Sequence, residues 1–226
     1  MPARRILLLV LLTSVLAATW LLWQRHAAVA AHPVIEKSPP AFTNRTFDPN
    51  APPADMPPFS PGELAVCDSN FQSAAGVAGD LEQTDATHAI VTITHVTVKL
   101  HLAITIWVPE GASSHVVEHE QGHRQISEHY YETADKLANQ IAASYLGKHL
   151  FIDGSDLQSE FTKALQQAGA QITEEFNSKL GAASAQDRYD EITDHSRNDV
   201  AASDAVSQAL KDATASTFPD SSGASH

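Results

Sequence analysis

Residues 88–108, HAIVTITHVTVKLHLAITIWV, are rich in β-branched side chains and contain neither glycine nor proline. Such a run suits a pleated, half-buried surface and little else. Val96, Val98, Leu100, Leu102, Ile104, Ile106 and Val108 share one face, and His95, Thr97, Lys99, His101 and Thr105 share the other. Alternation of this kind marks a sheet with one face in the core. The run is longer than an ordinary strand and predicts either one bent strand or a hairpin. Pro109 and Gly111 end it, and Ser113 or Ser114 then caps a helix expected to continue to Gly147.

That helix carries the chemistry. His119, His123, Ile126, Tyr130, Leu137 and Ile141 lie within roughly 60° of one another at about 100° per residue, so both histidines sit on the inward face. The stretch His119-Glu120-Gln121-Gly122-His123 is the HExxH pattern. Histidines one turn apart can direct ring nitrogens at one zinc ion, and the intervening glutamate reaches the water that such an ion activates without being a ligand. Gly122 within the helix costs about 1 kcal/mol relative to alanine, which points to close approach of another group there. The only cysteine is Cys67, so any zinc is held by histidine and carboxylate.

A third ligand is needed. His129 completes a spacing that resembles the metzincins, but those proteins turn the chain at a glycine where this one has Ile126. On a continuing helix, Glu128 and His129 point away from His119, and His115, one turn earlier on the inner face, is too distant to bind the same ion. The remaining ligand therefore belongs to a later element. Ser155 and Gln158 form a capping box for a helix whose apolar residues Leu157, Phe161, Leu165, Ala168, Ile172, Phe176 and Leu180 recur every three or four positions, with Gly181 closing it. Beyond it, QDRYDEITDHSRND gathers Tyr189, Asp190, Thr193 and His195. A ligand and an oxyanion donor must reach the metal from this segment, with Tyr189, or Tyr130 as the alternative, as the expected donor and Asp190 and Asp194 as candidates to orient the ligand.

The combination of LAITIWVPEG, a helix with HEQGH, a long helix and the YDxxTxH element at Tyr189 to His195 resembles the bacterial zinc-dependent protease family labelled domain-of-unknown-function nine-two-two. The likeness spans about residues 63–200. It implies a gluzincin-like fold with His119 and His123 as zinc ligands, Glu120 as general base and His195 as third ligand. The family usually has glycine after the last histidine, where this chain has Ser196; Glu128 and His129 are the reserve ligands.

The ends of the chain read differently from its middle. Arg4 and Arg5 precede an apolar run from Ile6 to Trp23, and Ala28-Val29-Ala30 offers a small-x-small cleavage pattern, so residues 1–30 are expected to be a signal peptide or a membrane anchor and the body of the chain to lie in the periplasm or outside the cell. Residues 31–62 hold nine of the twelve prolines and predict an extended linker. A single domain is expected over 63–215 and a frayed tail over 216–226. With a formal net charge of −13, nucleic acid is excluded as a partner. The expected fold is α+β, a small antiparallel sheet packed on long helices in a zincin-like architecture. The expected function is zinc-dependent hydrolysis of a peptide or protein substrate in the cell envelope, with a non-catalytic zinc-binding or envelope interaction protein, or a cell-wall amidase, as the alternatives.

Overall fold

The structure, a computed structural model, describes residues 32–59 and 62–217, with residues 215–217 described by backbone alone. The signal or anchor segment and most of the expected tail lie outside the described residues. No helix among the described residues is long and apolar enough to cross a membrane.

The β-branched run of residues 88–108 forms one strand, β4 (His88–Pro109), of 22 residues. It pairs antiparallel along its length with β3 (Val66–Gln83) through a tight connection at residues 84–87. At roughly 3.3 Å per residue β4 outruns any ordinary neighbour, and three short strands share its other edge. β5 (His149–Asp153) runs antiparallel beside His88–Thr92, β1 (Val34–Lys37) parallel beside Thr97–Leu100, and β2 (Ala41–Phe47) parallel beside Ala103–Pro109. The α+β class holds, but the sheet is mixed and not antiparallel as expected.

β4 is the bent-strand alternative, and its bend has a local cause. Ala78 pairs with His95 and Gly79 with Ile93, leaving Thr94 without an opposite residue. Such a bulge shifts the alternation by one: Ala89, Val91 and Ile93 face the core before it, and Val96, Val98, Leu100, Leu102, Ile104 and Ile106 after it.

Residues 34–47, read above as part of a linker, are strands of this sheet, and the compact unit begins at Pro33, not near Glu63. Pro33, Pro39 and Pro40 flank β1 and β2 without interrupting them, which is where proline is tolerated beside a sheet. Lys37 at the end of β1 donates from Nζ to the Glu132 carbonyl at 2.7 Å and to Asp135 at 3.0 Å. That contact explains why the expected single helix is two, α1 (Ser114–Glu132) and α2 (Ala134–Ala143). With the Glu132 carbonyl taken by lysine, Thr133 leaves helical geometry at φ −102° and ψ 3°, and the Lys136 amide bonds Thr133 instead.

The helices pack on one face of the sheet. β4's core-facing residues meet Tyr131, Ala134, Ala138, Ile141 and Ala142 of α1 and α2, and Ala168, Ile172 and Phe176 of α3 (Leu157–Lys179). The cap of α3 is Asp156, which accepts from the Ser159 amide, and not Ser155. A second cluster joins Ile126 of α1 to α4 (Ala182–Thr193) and α5 (Ala202–Thr217) through Ala185, Tyr189, Ala205, Val206 and Ala209. α3 also covers the middle of β3's outer edge: the Ala75 amide donates to Thr173 Oγ1 at 3.1 Å, and at Gly169 the helix lies so close that an added Cβ would strike the Ala75 carbonyl. We expect Gly169→Ala to lower stability by about 1–3 kcal/mol from overpacking, despite alanine's advantage of about 1 kcal/mol in a helix. Denaturant unfolding followed by circular dichroism checks the sign.

Candidate metal centre

α1 begins at Ser113, whose Oγ accepts from the Val116 amide at 3.4 Å. Nearly two and nearly three turns on, it presents His119 and His123 to α4. α4 carries Gln186, Tyr189, Asp190 and Thr193 at i, i+3, i+4 and i+7, one helical face. The two faces meet because position 122 has no side chain. Tyr189, fully buried, fills the space a Gly122 Cβ would need, donates from its hydroxyl to the His119 carbonyl at 3.2 Å, and stacks on the His119 ring with centroids 5.0 Å apart.

This packing delivers Asp190. Its Oδ1 lies 2.9 Å from His123 Nε2 and 3.3 Å from His119 Nε2, and the two Nε2 atoms are 3.2 Å apart. Three ligand atoms each about 2.0–2.1 Å from a tetrahedral zinc ion stand roughly 3.3 Å from one another, so the donor set fits the metal in both chemistry and spacing. The tautomer also fits. Gln186 Nε2 donates to the His123 carbonyl at 3.0 Å and to Ser127 Oγ at 2.9 Å, which turns its Oε1 toward His123 Nδ1 at 2.6 Å. His123 therefore carries its proton on Nδ1 and keeps the Nε2 lone pair for a ligand bond.

Glu120 is buried beside these groups without belonging to the set. Burial pushes its carboxyl up to about 7, against the pull of His123 and of a hydrogen bond from the Cys67 backbone. Burial acts on Asp190 in the same sense, but the hydrogen bonds from His119 and His123 outweigh it and hold that carboxyl well below the usual range. Cys67, its thiol pushed up to about 12 by burial, belongs to neither group of residues that could hold a metal ion.

Asp190, expected to orient a ligand, groups with His119 and His123 as atoms that could hold one ion, and His195 lies in a second such group with Glu63 and Asp190, its Nδ1 3.6 Å from Asp190 Oδ1 and 3.6 Å from Glu63 Oε1. The reason is the helical run to Thr193, which puts Asp190 on the face toward α1 and leaves His195 beyond the helix end. Tyr189, expected as an oxyanion donor, is buried and donates its hydroxyl to the His119 carbonyl. The reserves are remote: Glu128 pairs with Arg124 at 2.8 Å, and His129 is exposed on the outer side of a helix that does not turn at the buried Ile126. His115 donates from Nε2 to the Asn198 carbonyl at 2.8 Å, tying down the turn after α4.

That turn is unusual. Asp194, His195 and Ser196 have φ of 46°, 52° and 64°, a left-handed conformation costing L-residues roughly 1–2 kcal/mol each. We expect Ser196→Gly to raise stability by about 0.5–1 kcal/mol, measured as a shift in the denaturant midpoint. Gly122→Ala should do the reverse, displacing Tyr189 and weakening metal binding at least tenfold in a competition titration with a chromogenic chelator. No family model, curated protein or solved structure matches the chain.

Proposed function

We propose that the protein is a zinc-dependent peptidase in which His119, His123 and Asp190 hold the metal and Glu120 acts as general base. The observation that carries this reading is the set of three ligand atoms 2.9–3.3 Å apart with a buried, non-ligating glutamate beside it. A site kept only for folding has no use for Glu120 there. The order of elements, a sheet followed by the HExxH helix, supports a zincin-like arrangement and the resemblance noted above, with an aspartate in place of His195 as third ligand.

A bound zinc ion supplies Lewis acidity, lowering the pKa of water toward about 7 and polarising a carbonyl. Glu120, with its carboxyl near 7, accepts the proton of the attacking water and returns it to the leaving amine. Gln186 and Tyr189 keep the two imidazoles fixed while this happens. His119, its pKa lowered first by burial, stays neutral.

β3 supports a peptide as substrate. The Cys67 amide is turned toward Glu120 and the Ala75 amide toward Thr173, so odd-numbered residues of β3 point their backbone groups away from β4. Between them, the outward amides and carbonyls of Ser69, Phe71 and Ser73 bond no other group among the described residues. An extended peptide adding to this edge would reach the site as another strand. A substrate in the cell envelope follows if residues 1–30 direct export.

The test is metal content by mass spectrometry together with hydrolysis of unstructured peptides. Glu120→Gln should keep the wild-type metal content and lose about 10²–10⁴-fold in rate, whereas His123→Ala should lose the metal and the activity together. Wild-type protein that stays metal-free after zinc is offered would refute the reading.

A further inference from the structure

We propose that the centre takes a second divalent cation, bound by Glu63, Asp190 and His195, with Asp190 shared between the two ions. This rests on the zinc reading of His119, His123 and Asp190 and extends it from one ion to two.

The ligand atoms of Glu63, Asp190 and His195 lie within 4.8 Å of one another. His195 Nδ1 is 3.6 Å from both Asp190 Oδ1 and Glu63 Oε1. That is too long for a hydrogen bond. It matches ligands set about 2.2 Å from one ion at tetrahedral angles, which stand roughly 3.6 Å apart. His195 Nδ1 is buried and has no hydrogen-bond partner, and a buried ring nitrogen facing two carboxylate oxygens is left unsatisfied unless something lies between them.

Charge points the same way. Glu63, Glu120 and Asp190 converge on this small volume: after burial, which is the largest influence on both Glu120 and Asp190, the charges acting on them belong to His123, Glu63 and Asp190 for the first and to His119 and His123 for the second. Arg197 is nearby, but its guanidinium is bound to Asp194 at 2.8 Å. Ionised carboxylates in excess of one divalent ion leave a net negative charge, which attracts a further cation.

The backbone is also arranged for it. The left-handed run at Asp194–Ser196 carries His195 back toward Asp190. The turn is held by Asn198 Nδ2 donating to the Ile192 carbonyl at 2.8 Å, by Thr193 Oγ1 donating to the Tyr189 carbonyl at 2.8 Å and by the His115 contact. Conformational strain of this kind persists where the surroundings enforce it, and it concentrates at functional sites. Two carboxylates and one imidazole suit Zn²⁺, Mn²⁺ or Co²⁺. Ions about 3.5–4 Å apart can hold the attacking and leaving groups jointly. The second site, richer in oxygen and with His195 and Asp190 side chains 28% and 20% exposed, should be the weaker of the two.

The experiment is a metal titration of chelator-stripped full-length protein, with Zn²⁺ read by native mass spectrometry and Co²⁺ by electron paramagnetic resonance. The wild type should bind two ions, the second at least tenfold more weakly, and at two equivalents of Co²⁺ should show the signal loss of a spin-coupled pair. Glu63→Gln and His195→Ala should each bind one ion and show only uncoupled Co²⁺, with circular dichroism confirming that they are folded. Ions bound adventitiously to surface histidines would not couple. A wild type that saturates at one ion, a second ion indifferent to both substitutions, or loss of all binding in His195→Ala would overturn the proposal. In the first two outcomes, loss of the tight ion in His119→Ala leaves the single-zinc reading standing; a wild type that binds no ion removes both.

Discussion

The phenol of Tyr189 occupies the space that a side chain at position 122 would take, and the geometry of the centre follows from that contact. It brings α4 against α1 closely enough for Asp190 to reach both histidines, and its hydroxyl bonds the carbonyl of the residue whose ring it covers. A glycine in mid-helix costs about 1 kcal/mol in propensity. Here the cost is offset by burial of an entire aromatic side chain, worth on the order of 1.5–3 kcal/mol.

Around this contact, polar groups link the sheet to both helices. Gln186 on α4 donates to Ser127 on α1, and Ser127 donates to Ser69 on β3 at 2.8 Å. The Cys67 backbone, two residues before Ser69, lies close enough to Glu120 to offset part of the effect of burial on its carboxyl. The edge of β3, the helix with His119 and His123 and the helix with Asp190 are thereby held in one register. Buried polar groups are costly when unpaired and rigidifying when fully paired, so the chain from Ser69 to His123 limits how far any of these elements can move independently.

The sequence was most legible where one residue pattern served one purpose. The HExxH spacing placed His119, His123 and Glu120 together, the apolar period gave α3 to within a residue or two of its observed ends, and the alternation in β4 gave its buried face beyond Val96. It was least legible where tertiary pairing overrode composition. β3 holds Ser, Ala or Gly at seven of its 18 positions, residues with little strand preference of their own, and it exists because β4 offers it a full-length partner. β1 and β2 sit among prolines that read as a linker. The break at Thr133 depends on Lys37, nearly a hundred residues away. The role of Asp190 had a signal in the chain: Gln186, Tyr189, Asp190 and Thr193 share helical spacing, and reading that stretch as a helix would have put Asp190 on the inward face and left His195 past its end.

The most direct test of the account is a crystal structure of the zinc-soaked protein with anomalous diffraction measured at the zinc edge. The account requires a peak about 2.0–2.2 Å from His119 Nε2, His123 Nε2 and an Asp190 carboxylate oxygen. A centre without a peak, or a peak bound by the two histidines and His195 with Asp190 turned away, would contradict it.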